Sequence, residues 1–469
     1  MIAKTLRRIY STEHMLRPDQ RLGEIPGSKE AYSIAFAVAW ASIAESFLMA
    51  LITMADVIMV SAVGESAIAA VSLTFHLRFL LQTPVISLSV AITSIVARRR
   101  GEDDPQGAVS CLKQGLIIGS VISIIVYLIC RPFTEQMLML MGAEDDTIGM
   151  ATQYFDIVMI GIPFSNLTFI ILSALRGIGN TKTAMQVNIA TNIVSVSLNY
   201  LLIGGNLGFP RLEVRGAAIS TLIAWILGFI LALISVARRG RFLHIFSQGG
   251  WIFDRRTMSA MWKVSSGSLL EQGCMRLGFM TFARIVAGLG TMMFAAHHIF
   301  LSLLSLSFSF GEGLGIAAAA LVGRNLGAKR SDLSLIYGNI CQRMSLITSA
   351  MLFLILGIWG ADLLLLFTRD PDIIAISGPI FLIMCFILAA QASAMIFSGA
   401  LRGAGDTKFT AVVSLFCIVI LRPVAAVIFM YPLGLGLIGA WLGFTLDQYL
   451  RLFLCYRRFA SGKWMSIKL

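Results

Sequence analysis

The sequence predicts an all-α integral membrane protein of twelve transmembrane helices, arranged as two homologous six-helix lobes. Three observations carry that expectation. Of 469 residues, 57% are hydrophobic and only 13% are charged, with a mean hydropathy of +0.83; a soluble surface of this size needs far more charge. Apolar runs of about 20 residues, the length that crosses a bilayer, recur from end to end, for example over 31–62, 112–130, 217–237 and 345–360. The third observation is that the chain repeats itself at a constant offset. Small residues are interleaved along the apolar runs without strict alternation, which suits helices and not the strands of a barrel.

The predicted spans cover about 31–63, 66–97, 108–131, 151–175, 182–205, 215–237, 258–288, 291–323, 336–360, 373–400, 409–431 and 435–457. The expected organisation is a cytoplasmic N-terminal segment (1–30), an N-lobe (31–237), a cytoplasmic linker (238–257), a C-lobe (258–457) and a cytoplasmic tail (458–469). In the linker, Trp251, Phe253 and Arg255 suit either a short interfacial helix or a solvated tether.

The net charge of +12 is a topology signal rather than a nucleic-acid signal. With the N-terminus inside, the inner segments collect Arg98, Arg99, Arg100, Arg176, Lys182, Arg324, Arg402 and Lys408 with the basic ends of the chain. The outer segments hold only Arg131, Arg211, Arg215 and Arg369. Such a bias predicts both termini in the cytoplasm and an even number of spans, in a plasma or inner membrane. Seven scattered cysteines offer neither zinc spacing nor an extracellular disulfide framework. Residues 1–30 lack the apolar core of a cleavable signal peptide.

The repeat places Glu45 on Glu271, an offset of 226 residues, and keeps that offset without a gap. Met49 falls on Met275, Gly64 on Gly290, Arg98 on Arg324 and Gly101 on Gly327. Leu175-Arg176-Gly177-x-Gly179-x-Thr181-Lys182 falls on Leu401-Arg402-Gly403-x-Gly405-x-Thr407-Lys408. Apolar matches between membrane helices arise by chance; this octapeptide at an unchanged register does not. Six spans per half make it a parallel repeat about an axis along the membrane normal, so rocking of two lobes about a central cavity is the expected cycle.

On these residues the chain resembles the multidrug and toxic compound extrusion (MATE) transporters. The stretch from Met54 to Gly64, with Asp56 third, is similar to the family's first-helix signature. Ala295-Ala-His-His-Ile299 and the Gly315–Ala328 stretch are similar to its eighth-helix signature, and the two Leu-Arg-Gly loops match the connections after helices four and ten. The resemblance covers nearly the whole chain. It implies a two-lobed secondary antiporter that exports organic, cationic or amphipathic compounds in exchange for protons or sodium, with no cofactor, no catalytic residues and a monomeric state.

Each ionisable side chain near the bilayer centre costs roughly 2.5–3.5 kcal/mol to insert, so it needs a partner, a cavity or a function. By position alone, Asp56 suits an interfacial aspartate near the end of helix one as well as a site. The resemblance implies coupling: a carboxylate in a partly dry cavity exchanges protons near neutrality, or holds sodium with neighbouring oxygens. Its repeat mate is Phe282, so this acid belongs to one lobe only. Glu45, about 16 Å before Asp56 on the same helix face, has Glu271 as its mate; the symmetric placement favours a structural role such as pairing with arginine. Arg276, Arg284, Glu312 and Arg422 are the candidate partners of Glu271, as an ion-pair network or a substrate site. His297 and His298 read as packing.

Departures from the resembled family narrow the site. Sodium-coupled members carry an aspartate in helix ten where this chain has Gln391, and some archaeal members a second acid in helix five where it has Asn199, one turn after Ser195. The proline that bends helix one in such members is Ala41 here. The expected coupling site is therefore Asp56 with Ser195 and Asn199, the single place where sodium could sit. A phosphate-binding Gly-x-x-x-x-Gly-Lys-Ser/Thr loop is missing, which excludes ATP hydrolysis by that route. Glu102-Asp103-Asp104 and Glu144-Asp145-Asp146 fall on opposite sides of the membrane and cannot form one metal-diphosphate site. A flippase of lipid-linked saccharides from the same wider superfamily is the alternative function, and an integral-membrane enzyme the remote one.

Overall fold

The computed structural model describes residues 10–16, 18–61, 63–144, 147–238, 240, 242–246, 254–365, 370–467 and 469. The side chain of Asp56 lies outside the described set, as do Trp251, Phe253 and Arg369. Twelve long helices account for most of the described residues: α1 (Ser28–Ser61), α2 (Glu65–Gly101), α3 (Pro105–Cys130), α4 (Ile148–Gly177), α5 (Thr181–Gly204) and α6 (Glu213–Ala237), then α7 (Arg255–Ala287), α8 (Thr291–Gly327), α9 (Ser331–Leu365), α10 (Pro371–Gly403), α11 (Thr407–Met430) and α12 (Gly436–Ala460). Ten of these are long and apolar enough to cross a membrane. The other two, α7 and α12, carry charged side chains inside the span, and those charges prove to be the informative ones.

Three local features differ from the sequence reading. A short helix, Thr134–Leu140, follows α3. The last span but one is not uniformly α-helical: Leu415–Leu421 forms a π-helical turn just before Arg422 and Pro423. Proline cannot donate to the ladder and its ring crowds the preceding turn, and a π-turn accommodates the extra residue. Arg255, expected in the linker, opens α7. Asp254 caps that helix, accepting from the Thr257 amide (3.0 Å) and hydroxyl (2.7 Å) and from the Arg256 amide. These bonds, the Thr257 hydroxyl first, hold its carboxyl below the ordinary carboxylate range.

Contacts divide the chain into two compact units, Phe47–Ser265 and Met1–Ser46 with Ser266–Leu469. The unit boundary falls inside α1, so the first turns of that helix pack with the C-terminal half. Ala31, Ala35 and Ala39, four residues apart on one face, share a core with Leu314, Ala317, Ala318 and Leu321 of α8. A Cβ on Gly313 would meet the Ile43 backbone nitrogen at 2.8 Å. Small residues on both sides allow such backbone approach, the usual basis of helix association in lipid. The preceding segment is tied down as well: Arg330 donates to the Glu24 carbonyl (2.7 Å), and the Leu22 amide donates to Asp332 (3.2 Å).

Within each unit the helices follow one packing scheme. In one, α4 is central, against α2, α3 and α6, with α5 on α6; in the other, α10 is central, against α8, α9 and α12, with α11 on α12. The repeated octapeptide explains part of this. Gly177 closes α4 against the Thr93 carbonyl of α2, where a Cβ would sit 2.8 Å away, and its mate Gly403 closes α10 against the Ala319 carbonyl of α8, the repeat mate of Thr93. Gly179 and Gly405 take φ of 83° and 89°, the left-handed conformation that ends a helix most cheaply with glycine. The loop amides then return to the helix ends, Asn180 to the Leu175 carbonyl (2.9 Å) and Asp406 to that of Leu401 (2.8 Å). The motif is thus a helix stop and restart, read twice.

Candidate functional site

In the unit Phe47–Ser265, α5 presents Asn192, Ser195 and Asn199 at spacings of three and four residues, which is one helix face. Ser195 and Asn199 are buried. The Asn192 side-chain amide donates to the Met49 sulfur of α1 at 2.9 Å, and further along Val60 of α1 and Ile203 of α5 share one apolar cluster. The Asn192–Met49 bond sets α1 beside α5, and the shared cluster lies further along both helices. Residue 56 comes level with the Ser195–Asn199 turn, on the same stripe of α1 as Met49 and Val60. Counted from the Asn192–Met49 bond, residue 56 and Asn199 each stand seven residues further along their helices.

The repeat mates of these three positions are Phe282, Leu421 and Ala425. All are apolar. Phe282 is buried among aromatic rings, 5.4 Å from His297 and 6.2 Å from Phe444 between centroids. His297 also packs against Trp441, as expected of a packing histidine, while His298 is exposed.

Glu45 is buried on the part of α1 that packs with the C-terminal half. Its mate Glu271, on α7, is held by α10 and α11: Arg402 lies 3.8 Å from one carboxylate oxygen, and the Thr410 hydroxyl donates to the other at 2.8 Å. Close approach of α7 to α11 makes this possible, since a Cβ on Gly267 would meet the Thr407 backbone at 2.8 Å. Pairing with arginine is what the symmetric placement suggests, yet the arginine is not among those expected. Arg276, five residues along α7, points about 140° away from Glu271; Arg284 and Glu312 are exposed; and Arg422 is committed elsewhere. Arg402 escaped notice because it counts first as a cytoplasmic topology charge, although it stands in the last turn of α10. Gln391 is fully buried, and neither end of its amide has a hydrogen-bond partner among the described residues.

Arg422 belongs to a second buried network. Its Nη2 and Nε donate to one oxygen of Asp447 on α12, at 2.5 and 3.1 Å, and the guanidinium lies over the rings of Phe444 (4.4 Å) and Phe279 (5.1 Å). The Gln448 amide donates to that same oxygen (3.1 Å), and Arg451 donates to Gln448 (2.5 Å). Arg422 and Asp447 are 1% and 0% exposed, so each is the condition for burying the other. Sequence reasoning missed Asp447 and Arg451. Their signal was available, two opposite charges four residues apart inside an otherwise apolar span. At the C-terminal end of the same helix, Arg458 pairs with Asp406 (2.7 Å), the residue preceding α11.

Comparison with known proteins decides what this arrangement belongs to. The MatE family model matches residues 41–201 and again 268–428, one copy on each repeat. The chain belongs to the MatE family. The motif resemblance is thereby confirmed. Among its relatives, a probable multidrug resistance protein NorM of Thermotoga maritima is 28% identical over 428 residues, covering 90% of each chain. The multidrug resistance protein PmpM of Pseudomonas aeruginosa is 26% identical over 369 residues, covering 77% of this MatE protein and 76% of its own length. An outward-facing multidrug resistance MATE family transporter has the same fold, with a TM-score of 0.85 at 19% identity over 92% of this chain and 97% of that one. A Pyrococcus furiosus transporter of the MOP superfamily, described as having a binding pocket of reverse polarity, gives 0.84 at 19% identity over 92% and 95%. These neighbours place the twelve helices in the two-lobed MATE fold. MatE transporters are not enzymes, and this one is a multi-pass membrane protein.

Proposed function

We propose that this MatE protein is a secondary active efflux antiporter that exports small organic, cationic or amphipathic compounds by alternating access of its two six-helix lobes. The observation that carries the reading is the family match on both repeats, supported by relatives named for multidrug resistance. Those relatives favour multidrug efflux over a lipid-linked saccharide flippase.

The energy comes from a cation gradient, of protons or sodium, entering at Asp56 with Ser195 and Asn199. Three things support that assignment. The acid stands at the family's first-helix motif. Its position is level with two buried polar groups of α5. And the repeat mates of all three are apolar, which fits a site used once rather than a scaffold charge used twice. A hydroxyl and an amide beside a carboxylate supply neutral oxygens for sodium, or hydrogen bonds that steady the carboxylate between proton transfers. The arginine-held Glu271 and Asp447 have the opposite character, since each carboxylate is already engaged by a guanidinium and by a further hydroxyl or amide donor. We assign them to the scaffold, with Glu45 as the counterpart of Glu271 in the first repeat. The bias of Lys and Arg supports a topology with both termini in the cytoplasm.

The test is drug resistance of cells producing Asp56→Asn. Resistance and dye exclusion should fall to the level of cells without the transporter while membrane abundance stays normal. Unchanged resistance would remove Asp56 from the coupling site. A Glu271→Gln control that transports normally per folded molecule would support the scaffold assignment.

A further inference from the structure

In the unit Met1–Ser46 with Ser266–Leu469, α9 carries a second kind of stripe. Asn339, Gln342 and Arg343 are followed at helical spacing by Leu346, Ala350 and Leu354, so one face turns from polar to apolar along its length. The facing wall is α10, where Phe397, Ala389 and Cys385 recur at multiples of four residues. Two cavities lie along this seam. The first, about 500 Å³, sits at the polar end and is flanked by Tyr449, Phe453 and Tyr456 of α12. The second, about 350 Å³, continues between α9 and α10 at the apolar end. The two follow one another along the seam as a trough that opens at its side: Tyr456 is 51% exposed and Leu354 58%.

The trough has the proportions and polarity of a lipid. From Arg343 to Leu354 is eleven residues, about 16 Å along the helix, close to half of the roughly 30 Å hydrocarbon thickness and so to one leaflet. The polar end lies in the N-terminal half of α9 and toward the ends of α10 and α12, with Arg343 beside Tyr32 near the start of α1, and tyrosine and arginine gather at such a level in membrane proteins. Arg343 is the one charged residue lining either cavity. Its Nη1 is buried without a hydrogen-bond partner among the described residues, and the guanidinium has the Tyr32 phenol beside it and the ring of Tyr10 at 6.0 Å, both uncharged. Gln342 is turned aside to Ser393 (3.2 Å), which leaves the guanidinium facing the cavity without a carboxylate. A guanidinium in that setting calls for an anion, and phosphate oxygens match its fork.

We propose that this trough binds an anionic phospholipid, with its phosphate on Arg343 and one acyl chain laid along the α9–α10 seam. The apolar continuation is what selects a lipid over a free phosphate, and the guanidinium selects an anionic headgroup over a zwitterionic one. The site is separate from the Asp56 region and stands whether or not that coupling assignment holds.

The full chain, reconstituted with equal phosphatidylglycerol and phosphatidylcholine and then extracted for native mass spectrometry, tests this. The wild type should retain phosphatidylglycerol in preference. Arg343→Gln should lower that retention about tenfold, the loss expected for one charge-assisted bond, and leave phosphatidylcholine unchanged. Ala350→Trp, which fills the apolar end and keeps the charge, should lower phosphatidylglycerol retention too. Equal retention of both lipids by the wild type, or full retention by Arg343→Gln, would overturn the proposal. If Arg343→Gln does not fold, undiminished retention by Ala350→Trp overturns it alone.

Discussion

Removing Asp447 should destabilise the protein far more than removing Asp447 and Arg422 together. The carboxylate is fully buried and accepts three hydrogen bonds on one oxygen, two of them from a guanidinium that is itself 1% exposed. Breaking a buried pair from one side costs about 3–5 kcal/mol, because the remaining charge stays in a low-dielectric interior. Here the rings of Phe444 and Phe279 still face the cation at 4.4 and 5.1 Å, and such contacts offset about 1–2 kcal/mol when desolvated. Asp447→Leu should therefore cost about 3 kcal/mol, at the lower end of the range. Arg422→Met with Asp447→Leu replaces both charges by apolar groups of comparable size, and a buried pair exchanged whole is often neutral. The assay is the heat resistance of purified protein followed by size-exclusion chromatography, for each single and the double variant. The single variant should melt several degrees lower and the double should recover most of the loss. A double variant as unstable as the sum of the singles would refute the reasoning, because the two charges would then act independently.

Glu271→Ala removes the acceptor of Thr410 and the partner of Arg402. Since Arg402 is 24% exposed at its side chain, water softens the loss, and about 1–2 kcal/mol is expected. Glu271→Gln should restore roughly half of it, read by the same melting assay; normal melting with lost efflux would instead put Glu271 in the transport path. Asp254→Ala uncaps α7. Because the Asp254 carboxyl is held below its ordinary range, its contribution is present above the unfolded carboxylate pKa of about 4 and fades as pH falls through the lower folded value. The variant should differ from wild type in hydrogen exchange of the first α7 turn at pH 7, and the difference should shrink as the carboxyl is protonated in acid.

The long spans were legible because their signal is one-dimensional: length and hydropathy without a partner. The repeat made the lobes legible too, and Gly177 and Gly403 show why it holds so well, since both meet the same backbone position on their neighbour. The split inside α1 was not legible, because whether Ala31 and Ala39 pack on α8 depends on tertiary contact that span-finding ignores. Partner choice failed for the same reason. Arg402 and Glu271 are 131 residues apart, and only helix packing brings α10 beside α7. Asp447 failed differently: attention to the family's known acidic positions passed over a charge pair that insertion cost alone marks as significant.

Transport by purified protein in vesicles tests the central claim most directly. Wild type and Asp56→Asn are reconstituted, and export of a fluorescent organic cation is followed under an imposed proton gradient and then a sodium gradient. Wild type should move the dye against its gradient with one of the two cations, and Asp56→Asn with neither, although it melts as the wild type does. Export by Asp56→Asn at the wild-type rate, or by the wild type with no gradient imposed, would contradict it.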